Sequence, residues 1–362
     1  MTKRGIKQSS LLFCITGARG AGVSQNSVFT FMKKLFLLLA VLLLTAAAGW
    51  AQTQVATLNH QGNIRVFYGP DAFVNAVNAA VDDDVINLSA GYFNTTTIDK
   101  RLNIKGAGML VDNNEDRSST VLNWINFLPI SSGSVIEGIN SGIAAERGNV
   151  SNCVFRRCIL RSSSSEFSNC QFHACALNSH GNLPKSSIFL NSCLKLIPRD
   201  SGFFQNCYIL WSAAGGDPDS YYCLPDESTY INCITYGWVK NYSSTWFQHR
   251  NNVYLTDGSR QSPFRYLVNN YVATSDIFNW SSVDSSHLGN FHNWFVDGFD
   301  FSLTDDAASQ YVGTDGTQVG IYGGNMPFTP VVSNPRIVKC EVDSETSPEG
   351  KLNVNIEVKE GR

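Results

Sequence analysis

Charge is scarce in this chain: 16% of its 362 residues are Asp, Glu, Lys or Arg, against roughly a quarter in an average soluble domain. With 43% hydrophobic residues beside that scarcity, a disordered chain and a charged coiled coil are both excluded. Long apolar runs are missing as well. The longest, Leu35 to Leu44, falls well short of the roughly 20 residues that span a bilayer as a helix. Basic residues are few once the N-terminal segment is set aside. Six Lys and Arg precede residue 52 with no acidic residue among them, which leaves 21 basic against 30 acidic, a balance of −9. That balance argues against a nucleic-acid surface.

The N-terminal segment has its own logic. Met32, Lys33 and Lys34 lead into Leu35 to Leu44, then Thr45 and three alanines, with Gly49-Trp50-Ala51 placing small residues before Gln52. This is the layout of a signal peptide over 32–51, and it predicts an exported protein, extracellular, at the outer cell surface or periplasmic. Residues 1–31 are polar and aperiodic, as an upstream start codon or an extended n-region would be. An uncleaved anchor is the alternative reading of the apolar run.

Beyond Gln52 there is one helical signal. Pro70-Asp71 precedes Ala72, Phe73, Val74, Ala76, Val77, Ala80 and Val81, a capping carboxylate followed by apolar residues at three- and four-residue spacing, and predicts a helix over 71–81. After it come short β-rich runs broken by Gly, Asn and Ser, such as Val85 to Leu88, Val121 to Ile125 and Val135 to Ile139.

Among these runs a repeat of the form apolar-x-Asn-Cys-x-apolar stands out. It places Asn152-Cys153, Asn169-Cys170, Asn206-Cys207 and Asn232-Cys233 in equivalent positions, with Asn191 and Cys193 in a copy carrying an insertion. The Asn positions 152, 169, 191, 206, 232, 251, 269 and 293 are separated by 17, 22, 15, 26, 19, 18 and 24 residues. Helical hairpin repeats do not tolerate such variation, whereas a coiled ribbon of strands can lengthen its turns outward. The repeat predicts a parallel β-solenoid, with Cys stacked on Cys and Asn on Asn about 4.8 Å apart. A buried thiol suits a narrow interior, and Asn tolerates the backbone of a sharp bend and can bond the coils above and below.

Asp84-Val85-Ile86-Asn87-Leu88 through Gly91-Tyr92-Phe93, then Ile98 and Leu102-Asn103-Ile104-Lys105-Gly106-Ala107-Gly108, resembles the opening coils of the pectin-lyase-like superfamily. The stretch Gly313 to Gly324 is similar to the segment that closes many secreted bacterial members. The resemblance implies a right-handed parallel β-helix over 52–330, capped by the helix at 71–81. In residues 331–362, the alternation of Leu352, Val354, Ile356 and Val358 with polar residues predicts a β-hairpin with Ile337 to Val342. It serves either as a terminal cap or as a link to something outside.

The candidate chemistry is sparse. Nine cysteines follow Gln52, an odd number that forbids complete internal pairing. Parallel neighbours in a ladder do not converge as a disulfide requires, so Cys153, Cys170 and Cys207 are expected as free thiols. Cys158 and Cys175 repeat the 17-residue spacing and read as ladder positions rather than zinc ligands, with His173 pointing outward. No metal or other cofactor is expected, calcium entering only if the protein is a lyase.

The acidic clusters and signature motifs of the superfamily's lyases and hydrolases have no visible counterpart, and Asp82-Asp83-Asp84 reads as solvent-facing turn chemistry. The remaining catalytic candidates, Asp217, Asp219, Asp226 and Glu227, lie on the longest excursion between repeats, 212–228. Tyr221, Tyr222, Trp211, Arg199 and Arg250 are the candidate ligand contacts, with Asp200 and His249 on neighbouring coils. Seven Trp and 13 Tyr suit either sugar platforms or interior stacking. By strand alternation Phe155 and Phe172 point inward, while Tyr208 could point outward. The expected function is binding of a glycan or another surface polymer by a monomer without catalysis. The alternative is a polysaccharide lyase or glycoside hydrolase with an atypical site.

Overall fold

A computed structural model describes residues 54–109, 119–162, 166–182, 184–197, 202–211, 228–236, 248–255, 269–279, 301–329, 336–342 and 354–359. Most of them wind into a parallel β-solenoid of about seven turns, walled by two long sheets of eleven strands each. In the first sheet the parallel strands run from Val85–Leu88 through Val154–Arg156 and Gln171–His173 to Gln248–Arg250. In the second they run from Gly91–Phe93 through Thr120–Phe127, Ile139–Ala145 and Ile159–Ser162 to Tyr271–Ala273. A short third sheet pairs Val150–Ser151 with Phe167–Ser168.

The first sheet ends in two antiparallel strands, Val55–His60 and Asn63–Tyr68. Beside them lies helix α1, Ala72–Ala79, which buries Ala72, Phe73, Ala76 and Val77. Asp71 occupies the capping position, but its carboxylate accepts from the Asn94 amide at 2.6 Å instead of from the helix. The carboxylates that follow divide. Asp82 and Asp83 are exposed in the turn, Asp83 pairing with Arg101, while Asp84 is buried and accepts hydrogen bonds from Val81 N at 2.9 Å and from His60 Nδ1 at 2.7 Å. The triplet is therefore only partly solvent-facing.

Strand alternation decides what the interior holds. Phe155, Phe172, Phe189, Phe204 and Tyr230 are in register on successive coils and fully buried. Their rings stack with centroids 5.0, 4.9, 4.9 and 4.8 Å apart and planes within 10°. The coil spacing thus sets the ring spacing.

The cysteines form two columns, one at each end of the first sheet's strands. Cys153 and Cys170 precede their strands, and Ser187 continues them, its hydroxyl accepting from Cys170 N at 3.0 Å. Cys158, Cys175, Ser192, Cys207 and Cys233 follow theirs, with Asn252 as the next step. Cys193 stands one residue beyond this second column, aligned with Ala176 and Tyr208. All seven described thiols are free and buried, and burial pushes Cys175, Cys193 and Cys207 well above the ordinary thiol range.

The asparagines divide likewise. Asn152 and Asn169 occupy the bend before the first sheet, whereas Asn191, Asn206, Asn232 and Asn251 occupy the bend after it, Asn269 heading the strand that ends the second sheet. All seven have φ between 47° and 59°, the left-handed region that Asn enters more cheaply than other chiral residues. Arg157 and Ala174 hold the same backbone conformation on the earlier coils of the second bend.

Strands Arg336–Val342 and Val354–Lys359 pair antiparallel as a hairpin. Residues 1–53, including the expected signal peptide, lie outside the described residues.

Candidate functional site

The outer face of the first sheet carries the column Glu137, Arg156, His173 and Leu190, one residue per coil. Each is followed by a bend residue, the last three by Arg157, Ala174 and Asn191. A strand that presents Arg156 outward and then turns through a left-handed Arg157 projects two guanidinium groups from one corner.

That corner is walled by a segment returning from the far end of the solenoid. Residues 301–329 begin near Phe278, form helix α2, Asp305–Gln310, capped by Thr304, and proceed through a turn-rich stretch. Phe301, Leu303, Ala307, Tyr311, Val319, Ile321 and Phe328 bury the outward residues Ala176, Cys193, Tyr208, Ile234 and Val253 of the second sheet in a second apolar cluster. Tyr208 thus points outward and is nonetheless fully buried, its ring 4.5 Å from that of Phe301.

Three of the bend asparagines hold this return segment, a role beyond the expected bonding to neighbouring coils. Asn191 Nδ2 donates to the carbonyls of Ile321 at 2.9 Å and Gly323 at 2.7 Å. Asn232 Oδ1 accepts from Thr314 N at 2.9 Å, and Asn251 Nδ2 donates to Val312 O at 3.0 Å. Coil-to-coil bonding falls to the backbone: Asn191 N donates to Gln205 O, Asn206 N to Ile231 O and Asn232 N to Arg250 O, at 2.9 to 3.0 Å.

Where the return segment reaches the two arginines, a cleft of about 360 Å³ opens, lined by Arg156, Arg157, His173, Ala174, Leu190, Asn191 and residues Met326 to Thr329. Arg157 donates to Glu137 Oε1 at 2.7 Å, and Glu137 is almost fully buried, so this guanidinium is committed to an internal carboxylate. Arg156 is exposed and pairs with no carboxylate among the described residues. Burial, then the charges of Arg156 and Arg157, hold the His173 imidazole below its ordinary value, leaving it neutral at pH 7. Among the described residues none that lines the cleft is acidic. The cleft therefore offers one uncommitted cation, a neutral imidazole and an apolar wall of Leu190, Met326, Pro327 and Phe328, a donor set suited to an anionic group carried on an apolar body.

The catalytic and ligand-contact candidates singled out from sequence are not among the residues lining this cleft as described. Asp217, Asp219, Asp226, Glu227, Tyr221, Tyr222, Arg199 and Asp200 fall outside the described residues. Trp211 ends strand Tyr208–Trp211, and Arg250 is exposed at the end of Gln248–Arg250. His249 does not share an outer groove with Arg250. It faces inward, in register with Tyr230, its ring 5.0 Å from that ring, and meets the Tyr254 hydroxyl.

Burial holds the His249 pKa at about 4, against 6.5 when unperturbed. The unfolded chain thus binds the extra proton across that window. Stability is full above pH 6.5 and falls toward pH 4 by a single-group contribution on the order of 3 kcal/mol. Urea midpoints at pH 7.5, 6 and 5 should follow this fall, and His249→Phe should flatten it.

Arg156 and Arg157 escaped the sequence reading. Their signal is position: they are the outward residue and the bend residue next to Cys158, visible only once the cysteine columns are in register. Set against protein-family models, curated proteins and solved structures, the chain matches none of them.

Proposed function

We propose that the protein is an exported, right-handed β-helix of pectin-lyase-like type that binds an acidic glycan or another anionic surface polymer at the cleft, without catalysis. The observation that carries this reading is Arg156, a guanidinium without an ion-pair partner among the described residues, set between a neutral histidine and an apolar wall. A sugar acid presents the matching pair of features, a carboxylate for the fork of donors and a ring face for the apolar side. The Arg157–Glu137 pair beneath keeps the corner in shape.

Retention of the protein on immobilised polygalacturonate, compared with dextran, tests the reading. The acidic polymer should retain it, less strongly as salt is raised. Arg156→Ala should weaken retention roughly tenfold, the loss of one charge-assisted contact. Absent retention on the acidic polymer, or retention unaltered in the variant, overturns the proposal. Release of unsaturated or reducing ends would replace binding by lyase or hydrolase chemistry.

A further inference from the structure

On the other long sheet, away from the arginine cleft, Trp124 lies flat across Gly142. A β-carbon added at Gly142 would sit 2.5 Å from Trp124 Cδ2 and Cε3, so the indole rests on bare backbone and any larger residue would lift it. Strand Thr120–Phe127 carries a register shift between Leu122 and Trp124, with Asn123 exposed and Trp124 half-buried. One ring face is taken by Gly142, and the accessible remainder looks outward.

Polar groups stand on the neighbouring strands of the same sheet. Arg161, in register with Gly142, reaches back to donate to Asn123 O at 3.5 Å. Asn140 is half-buried in the same strand as Gly142, and Tyr92, on the coil before Trp124, is 71% exposed. An aromatic face held against bare backbone, with guanidinium and amide donors on the adjacent strands, suits a pyranose ring: the C–H face of the sugar would cover the indole while its edge hydroxyls meet the donors.

From this placement we infer that Trp124, Arg161 and Asn140 form a second binding site, one that takes an uncharged hexopyranose or pentopyranose unit of a polysaccharide chain. It needs no contribution from Arg156, so the two sites succeed or fail separately.

The test is retention of the intact chain on a mixed-linkage β-glucan, a galactomannan and a xylan, with polygalacturonate alongside. At least one neutral polymer should retain the protein. Trp124→Ala should weaken that retention at least about tenfold, Trp124→Tyr should keep most of it, and Arg156→Ala should leave it unchanged. Gly142→Val, which displaces the ring without removing it, should act in the direction of Trp124→Ala. Lack of retention on all three neutral polymers overturns the inference, as does unaltered retention of Trp124→Ala. Retention by polygalacturonate alone, lost in Arg156→Ala, would support the cleft and overturn this site; neutral retention alone, lost in Trp124→Ala, would do the reverse.

Discussion

Phe172→Ala should lower the unfolding free energy by about 3–5 kcal/mol, the range for emptying a fully buried phenyl site. The loss belongs at the upper end. Phe172 lies between Phe155 and Phe189, with centroids 5.0 and 4.9 Å away and planes within 10°, so truncation removes two ring contacts as well as buried area. Collapse around the gap is hindered because the neighbouring rings are fixed at the spacing of their strands. A drop in urea midpoint at unchanged slope would register the effect. Phe172→Leu, which keeps most of the volume, should recover a large part, whereas a midpoint unmoved in Phe172→Ala would contradict the stacked interior.

Asn191→Ala should act through two causes. It leaves the carbonyls of Ile321 and Gly323 without their shared donor, at about 1–3 kcal/mol per buried group. It also places alanine at φ 47°, a further cost of about 1–2 kcal/mol. Asn191→Gly removes the second cause and keeps the first, so the difference between the two variants measures the backbone contribution. The damage should be local. Hydrogen exchange should quicken in 311–329 while the strands carrying Phe155, Phe172, Phe189, Phe204 and Tyr230 stay protected. Asn191 also lines the cleft, so retention on polygalacturonate should weaken with it. Uniform exchange in both regions would instead mean that the return segment and the coils open as one unit.

What was legible in the sequence follows from these two layers. The parallel solenoid could be read because its interior repeats: Asn-Cys pairs recur where a coil turns a corner, and a 17-residue spacing between Cys153 and Cys170, and between Cys158 and Cys175, shows through. The separation of the asparagines into two bends could not be read. Asn169 and Asn206 both stand in the pattern Phe-x-Asn-Cys and both have φ 53°, and only strand pairing tells which end of a strand each one occupies. Ser192 replaces cysteine in its column, which made Cys193 look like a displaced copy.

The cleft was hidden for a different reason. It is completed by Met326 to Thr329, more than 130 residues after Asn191, and a return along the solenoid leaves no periodic trace. Trp124 was overlooked because its partner is a missing side chain, that of Gly142.

The grip of Asn191, Asn232 and Asn251 on carbonyls and amides at fixed places in 311–324 makes the return segment a gauge for the molecule. A whole coil inserted between Asn191 and Asn251 would shift every later corner by one strand spacing, about 4.8 Å, and leave the segment too short to meet them all. A coil inserted ahead of Val150 would pass unmeasured. The early coils are therefore free to change in number, while the later ones can be added or lost only together with a matching length of the strip that spans them.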